Sequence, residues 1–184
     1  MKMDTLGFLE LNSISKGIEA VDTMLKAANS ELIYAKASCP GKYYILIAGT
    51  VDSVAQSIEA GTKIGAANIV GNLVIPRVSD QVIKAINKTE VPDEMNAVGV
   101  MEYYSCSGSI IAADAAVKAA DVQLMDIRLA TGIAGKSFVV LTGDTAACET
   151  AVEAGLAAAK EEALLINKVV IPRPRKEVFE SLIY

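Results

Sequence analysis

Asp22–Ala28 reads D-T-M-L-K-A-A, and 92 residues later Asp114–Ala120 reads D-A-A-V-K-A-A. The match extends both ways. Upstream, Leu6-Gly7-Phe8-Leu9-Glu10 returns as Val98-Gly99-Val100-Met101-Glu102, and downstream Leu32 returns as Leu124. The offset then grows by two: Gly41-Lys42 matches Gly135-Lys136, Gly49 matches Gly143, and Glu59-Ala60-Gly61 matches Glu153-Ala154-Gly155. It grows by two again before Val74-Ile75-Pro76-Arg77, which matches Val170-Ile171-Pro172-Arg173. Collinear matches interrupted by two small insertions indicate a duplicated domain whose loops absorbed the extra residues. The expected units are residues 1–90 and 95–184, joined by the polar, proline-containing stretch Asn87–Asn96.

Each copy has the same pattern of elements. In the first, Thr5–Leu11, Glu31–Ser38, Lys42–Gly49 and Asn68–Ile75 read as strands. Ser13 or Ser15 is positioned to cap a helix running through Ala28, with Ile14, Ile18, Val21, Leu25 and Ala28 sharing one face. A second helix starts near Asp52 with Val54, Ile58 and Gly61 inward, and a short helix, Ser79–Ile86, ends the unit. The order β-α-β-β-α-β is ferredoxin-like. The expected class is therefore α/β (α+β): two tandem domains, each a four-stranded antiparallel sheet with helices on one face. Such a sheet leaves an open face and exposed edges, which a tandem copy or oligomerisation would cover.

Composition excludes several functions. The 184 residues contain no histidine, which removes the commonest general base and metal ligand and argues against an enzyme. Net charge is −5, with nine basic and nine acidic residues in the first 92 and eight basic and thirteen acidic after them. No basic stripe points to nucleic acid. No run approaches the roughly 18 apolar residues of a membrane span, and the first residues do not read as a signal peptide. Three cysteines at positions 39, 106 and 148 form no disulfide framework, so a cytoplasmic setting is expected.

The duplication provides a comparison for each cysteine. Cys106 aligns with Ile14 and Cys148 with Val54, both expected to face inward, so these two thiols read as small buried hydrophobes. Cys39 aligns with Thr131, a loop position in both copies. The adjoining Pro40 is reminiscent of the Cys-Pro ending of iron–sulfur ligand runs. One thiolate cannot hold a cluster, but three chains around an axis would supply three corners of a cubane. The other reading is an exposed turn cysteine without a role. Gly132-Ile133-Ala134-Gly135-Lys136-Ser137 superficially suggests a phosphate-binding loop. It lacks the first glycine, Ala130 standing there, and leads into an expected strand rather than a helix.

Together, the strand ending in Glu10 or Glu102, the paired D-x-x-x-K-A-A elements, Gly-Lys before the third strand and the paired V-I-P-R elements resemble the bacterial microcompartment shell domain. Two such domains in one chain are similar to the tandem-domain shell proteins, and Cys39-Pro40-Gly41-Lys42 is most similar to their PduT type. The resemblance implies a homotrimer that mimics a six-domain hexagonal tile, located in a microcompartment shell beside other shell proteins. It implies a [4Fe–4S] cluster at the central pore, bound by one cysteine from each of three chains, here Cys39, with an encapsulated or cytosolic redox protein as partner. Ser38, Pro40 and Gly41 would line the pore, as would Thr131, Gly132, Ile133, Ala134 and Gly135. Lys26, Lys118, Arg77 and Arg173 match residues that contact neighbouring tiles. Against the redox tile stand a cluster-free metabolite pore and, from another class, a ligand-binding regulator. A catalytic cysteine lacks a histidine to activate it.

Overall fold

A computed structural model describes residues 4–92, 96–160 and 164–182. The chain divides into two compact units, residues 1–78 and 79–184. The first contains β1 (Thr5–Leu11), α1 (Ile14–Ala27), β2 (Glu31–Ser38), β3 (Lys42–Gly49), α2 (Val51–Gly65) and β4 (Ile69–Ile75). The second begins with α3 (Asp80–Asn87), followed by β5 (Ala97–Tyr103), α4 (Cys106–Ala119), β6 (Val122–Leu129), β7 (Ser137–Gly143), α5 (Thr145–Ala159), β8 (Leu165–Pro172) and α6 (Lys176–Glu180). The sheets have strand orders β2-β3-β1-β4 and β6-β7-β5-β8, antiparallel throughout. This is the expected ferredoxin-like order, present twice. Even the irregularities repeat: the β2–β3 register shifts between Leu32 and Tyr34, and the β6–β7 register between Leu124 and Asp126.

Local chemistry accounts for the helix starts. The Ser13 hydroxyl accepts from the Lys16 amide at the head of α1, so Ser13 rather than Ser15 is the cap. Thr50 and Ser53 exchange side-chain and backbone hydrogen bonds at the head of α2. The first core is Leu9, Leu11, Ala20, Met24, Ile45, Ile47, Val54 and Ile58, all buried.

The repeated Glu-Ala-Gly has a packing cause. A Cβ on Gly61 would lie 2.6 Å from the Met24 side chain, and one on Gly155 would lie 2.8 Å from the Ala112 carbonyl oxygen. The paired helices of each unit approach through these glycines. Met24 is flexible and can shift, whereas the Ala112 backbone cannot. Gly155→Ala is therefore expected to lower the melting temperature more than Gly61→Ala, with overpacking in the range of about 1–3 kcal/mol for the former. Parallel thermal melts of the two variants check this order.

Two expectations are corrected. Of the apolar α1 residues expected to face inward, Ile14, Ile18 and Leu25 do not face the core, whereas Val21 packs on it. Ile14 is 43% exposed, Ile18 57% and Leu25 38%. Gly17, Ala20 and Met24 face inward instead, because the helix lies so close that a Cβ on Gly17 would strike the Tyr43 ring. Cys106 is buried as expected, but its partner Ile14 is not an inward position. Also, α3 does not close the first unit. Its Val82 and Ala85 are fully buried in the second, where the Gln81 side chain bonds the β6 backbone.

Candidate functional site

The β2–β3 hairpin and its counterpart, the β6–β7 hairpin, carry the sequence features that packing leaves unexplained. In the first, the Ser38–Lys42 pair closes a three-residue tip, Cys39-Pro40-Gly41. The Cys39–Pro40 peptide is cis, and Gly41 has φ +78°, a left-handed conformation that glycine adopts without a Cβ penalty. In the second, the Ala130 amide donates to the Lys136 carbonyl, closing a five-residue tip, Thr131–Gly135. Gly132 and Gly135 take φ +77° and +85° there. Strand β7 follows Lys136, which removes the phosphate-loop reading.

Both tips are fastened in the same way. Lys42, directly after the first tip, forms an ion pair with Glu10 at the end of β1, and Lys136 forms one with Glu102 at 3.1 Å. The Gly-Lys element and the strand-ending glutamate, separate features in the sequence, are thus one contact. Glu10 is only 4% exposed, so water weakens the first pair less than the second.

The thiols fall into two groups. Cys106 and Cys148 are fully buried, while Cys39 is half-buried at the hairpin tip. Desolvation, reinforced by the Asp144 and Glu149 carboxylates, pushes the Cys148 thiol up to about 11. Among the described residues no three His, Cys, Asp or Glu side chains gather as a metal site. Of the other tip residues, Ser38 is buried, Pro40, Gly41, Thr131, Gly132 and Ala134 are exposed, and Ile133 and Gly135 are intermediate. About one thiol per chain, that of Cys39, is expected to react with a disulfide reagent in the folded protein at mildly alkaline pH, because thiolate character and access set the rate. Labelling followed by peptide mapping checks this.

The four basic residues lie elsewhere. Lys26 pairs with Asp22 and Lys118 with Asp114, so each D-x-x-x-K forms an i,i+4 bridge on its helix. Arg77 and Arg173 are exposed, each directly after the proline that ends an edge strand or its turn, with φ +53° and +48°. Sequence reasoning found both arginines but not this left-handed backbone. Its signal was an arginine at the same turn position in both copies.

A family profile, the BMC domain, matches residues 5–78 and again residues 97–174. The chain belongs to the bacterial microcompartment shell proteins. It is 40% identical to the shell protein PduT of Citrobacter freundii over 97% of both chains. One domain's length is 40% identical to the shell protein EutM of Salmonella typhimurium, covering 47% of this chain and 88% of EutM. A crystal structure of a microcompartment protein from Desulfitobacterium hafniense superposes with a TM-score of 0.90 at 44% identity, covering 97% of this chain and 99% of that one. A fused, permuted hexameric shell protein of the RMM microcompartment shares the fold at a TM-score of 0.63 and 21% identity, over 85% and 84% of the chains. Among the described residues, no helix is long and apolar enough to cross a membrane.

Proposed function

We propose that this shell protein is a structural, non-enzymatic tile made of three chains, with the Cys39 hairpins converging on its axis to hold a [4Fe–4S] cluster for electron transfer across the shell. One observation carries the ring: matching positions in the first turns of the helix are buried in one repeat and bare in the other. In α4, Cys106, Ile110 and Ala113 are all buried. In α1, Ile14 and Ile18, the counterparts of Cys106 and Ile110, are exposed, as is Leu25 two turns on, while Val21, the counterpart of Ala113, packs on the core. A head-to-tail neighbour that covers α1 joins unlike surfaces, which closes into a ring when the rotation closes. Three chains supply six domains around that ring. Ile18→Asp is expected to abolish the trimer in analytical ultracentrifugation while leaving the single chain folded, since a charge at that contact would be desolvated. A trimeric Ile18→Asp protein would count against α1 as the ring contact.

The donor chemistry suits the cluster. Cys39 has the only thiol of the three outside the core, the described residues of one chain form no complete metal site, and thiolate sulfur is what iron–sulfur clusters require. Three Cys39 thiolates would leave one iron with an outside ligand. When bound, such a centre supplies one-electron transfer. The chain's part is to fix the thiolate at a tip closed by Ser38–Lys42 and tied to Glu10. Backbone N–H groups and solvent access at that tip would set the potential. Anaerobically loaded protein is expected to carry about four irons per three chains; an encapsulated or cytosolic redox protein would be its partner. The second reading, a metabolite pore lined by Cys39 and the Thr131–Gly135 tip, is favoured by the exposure of both tips and predicts no bound iron.

A further inference from the structure

The strands behind the two tips place charge differently. Behind the first tip, Lys36 of β2, Tyr44 of β3 and Glu10 of β1 are ladder partners, and Ser38 is the partner of Lys42. Ladder partners share a face of a sheet, as do residues two apart on a strand. Lys36, Ser38, Lys42 and Glu10 are therefore on one face, at the Cys39 end. Ala35, Ile45 and Leu9 are on the other, in the core against the helices. Behind the second tip the matching positions are Arg128 of β6, Lys136 directly before β7, and Glu102 of β5.

One position separates the two sets. Where the first has Tyr34, the second has Asp126. Asp126 is 4% exposed and holds the Arg128 guanidinium at 2.8 Å. Tyr34 offers its ring instead, and the Lys36 ammonium lies over it, 4.6 Å from the centroid. A ring face attracts a cation without cancelling its charge. Among the described residues Lys36 has no ion-pair partner. Behind the second tip Arg128 and Lys136 meet Asp126 and Glu102, so the charges cancel. Behind the first, Lys42 meets Glu10 and the charge of Lys36 is left over. The surplus cation is exposed, and it is in the repeat that has the half-buried tip thiol, three residues before Cys39.

We propose that Lys36 steers anions to the Cys39 tip, so that the electron carrier exchanging with this tip presents an acidic contact surface. At about 3.3 Å per residue, at most about 10 Å of chain separates the two residues. That is about one Debye length at 0.1 M salt, so the charge acts on what approaches the tip. A ring of three chains would surround its axis with three such cations. An electron carrier presupposes the cluster proposed above, whereas steering depends on one hairpin and needs neither cluster nor ring.

The experiment uses the iron-free, reduced full chain and measures how fast Cys39 attacks three disulfides: dianionic dithiobis(nitrobenzoate), neutral hydroxyethyl disulfide and dicationic cystamine. Each attack forms one mixed disulfide and releases one thiolate. A change in the thiol itself moves all three rates together and drops out of their ratio. At about 10 mM salt, where the Debye length is about 30 Å, Lys36→Gln is expected to lower the anion-to-cation rate ratio about fivefold. Lys36→Arg should keep the wild-type ratio, and Lys36→Glu should lower it further than Lys36→Gln. At about 1 M salt all four chains should converge on one ratio. Equal ratios for wild type and Lys36→Gln at low salt overturn the proposal. Anaerobically loaded protein then tests the carrier. One-electron reduction by dithionite, an anion, should slow in Lys36→Gln, while reduction by reduced methyl viologen, a cation, should not. A change in cluster potential alone would slow both, and that result overturns the acidic carrier. A fallen thiol ratio in a chain that binds no iron overturns the cluster and its carrier together, and leaves the tip as an anion-steering one.

Discussion

Cys39→Ser is expected to leave the protein colourless and essentially iron-free after anaerobic treatment with iron and sulfide, while Cys106→Ser and Cys148→Ser keep the wild-type spectrum. The asymmetry follows from where the thiols sit. A ligand to iron must be a thiolate. Cys148 is fully buried, its Sγ faces the Ala97 carbonyl at 3.8 Å, and its thiol is pushed up to about 11 by desolvation and nearby carboxylates. Deprotonating it at neutral pH is unfavourable. Cys106 is 1% exposed at the start of α4. Cys39 alone stands at a tip that copies of the chain can share. Absorption and electron paramagnetic resonance spectra of the three variants, with iron analysis, check this. A colourless wild type would favour the metabolite pore. Colour that disappears with Cys148→Ser instead would move the ligand away from the hairpin. Cys39→Ser should still sediment as a trimer, because the ring contact proposed for α1 does not involve that side chain.

The fold was legible because the sequence states it twice. Strand order, both long helices and the hairpin tips follow from the aligned Gly-Lys, Glu-Ala-Gly and Val-Ile-Pro-Arg elements. The orientation of α1 was not legible. A 3.6-residue apolar stripe indicates that a helix buries a face without saying in what. Here the large residues Ile14, Ile18 and Leu25 point away from the sheet, and the small Gly17 and Ala20 point toward it. Close packing against Tyr43 needs small residues, so glycine at position 17 was the available sign. The placement of α3 was illegible for a related reason. Gln81 reaches β6 across 41 and 43 residues of sequence, a non-local contact that periodicity cannot encode. Cys39 was legible as an anomaly by comparison with Thr131. The ion pairs behind the tips were not, since Glu10 and Lys42 are 32 residues apart.

Arg77→Gly combined with Arg173→Gly is expected to keep or raise the stability of the tile while abolishing its assembly into sheets. Both arginines hold a left-handed backbone, φ +53° and +48°, where a non-glycine residue costs roughly 1–2 kcal/mol. Both turns are closed without the side chains: the Val78 N–H donates to the Asp4 carbonyl and the Arg173 N–H to the Asn96 carbonyl, each at 2.8 Å. Glycine keeps these bonds and relieves the strain. Its greater freedom in the unfolded chain offsets part of that gain, so the net change should lie within about 1 kcal/mol of zero or on the stabilising side. A position that would fold as well with glycine, yet has arginine in both repeats, would be explained by a contact that the side chain makes outside the chain. A closed ring of three would present six such arginines, two from each chain, on edge turns where tiles would abut. Rim charges of this kind direct association more than they hold a fold. Electron microscopy and light scattering of wild-type and double-glycine trimers, beside their melting curves, separate the outcomes. Sheets of unchanged lattice from the glycine variant would remove the arginines from the tile edge. A wild-type trimer that forms no sheets under any condition would favour a ligand-binding regulator instead.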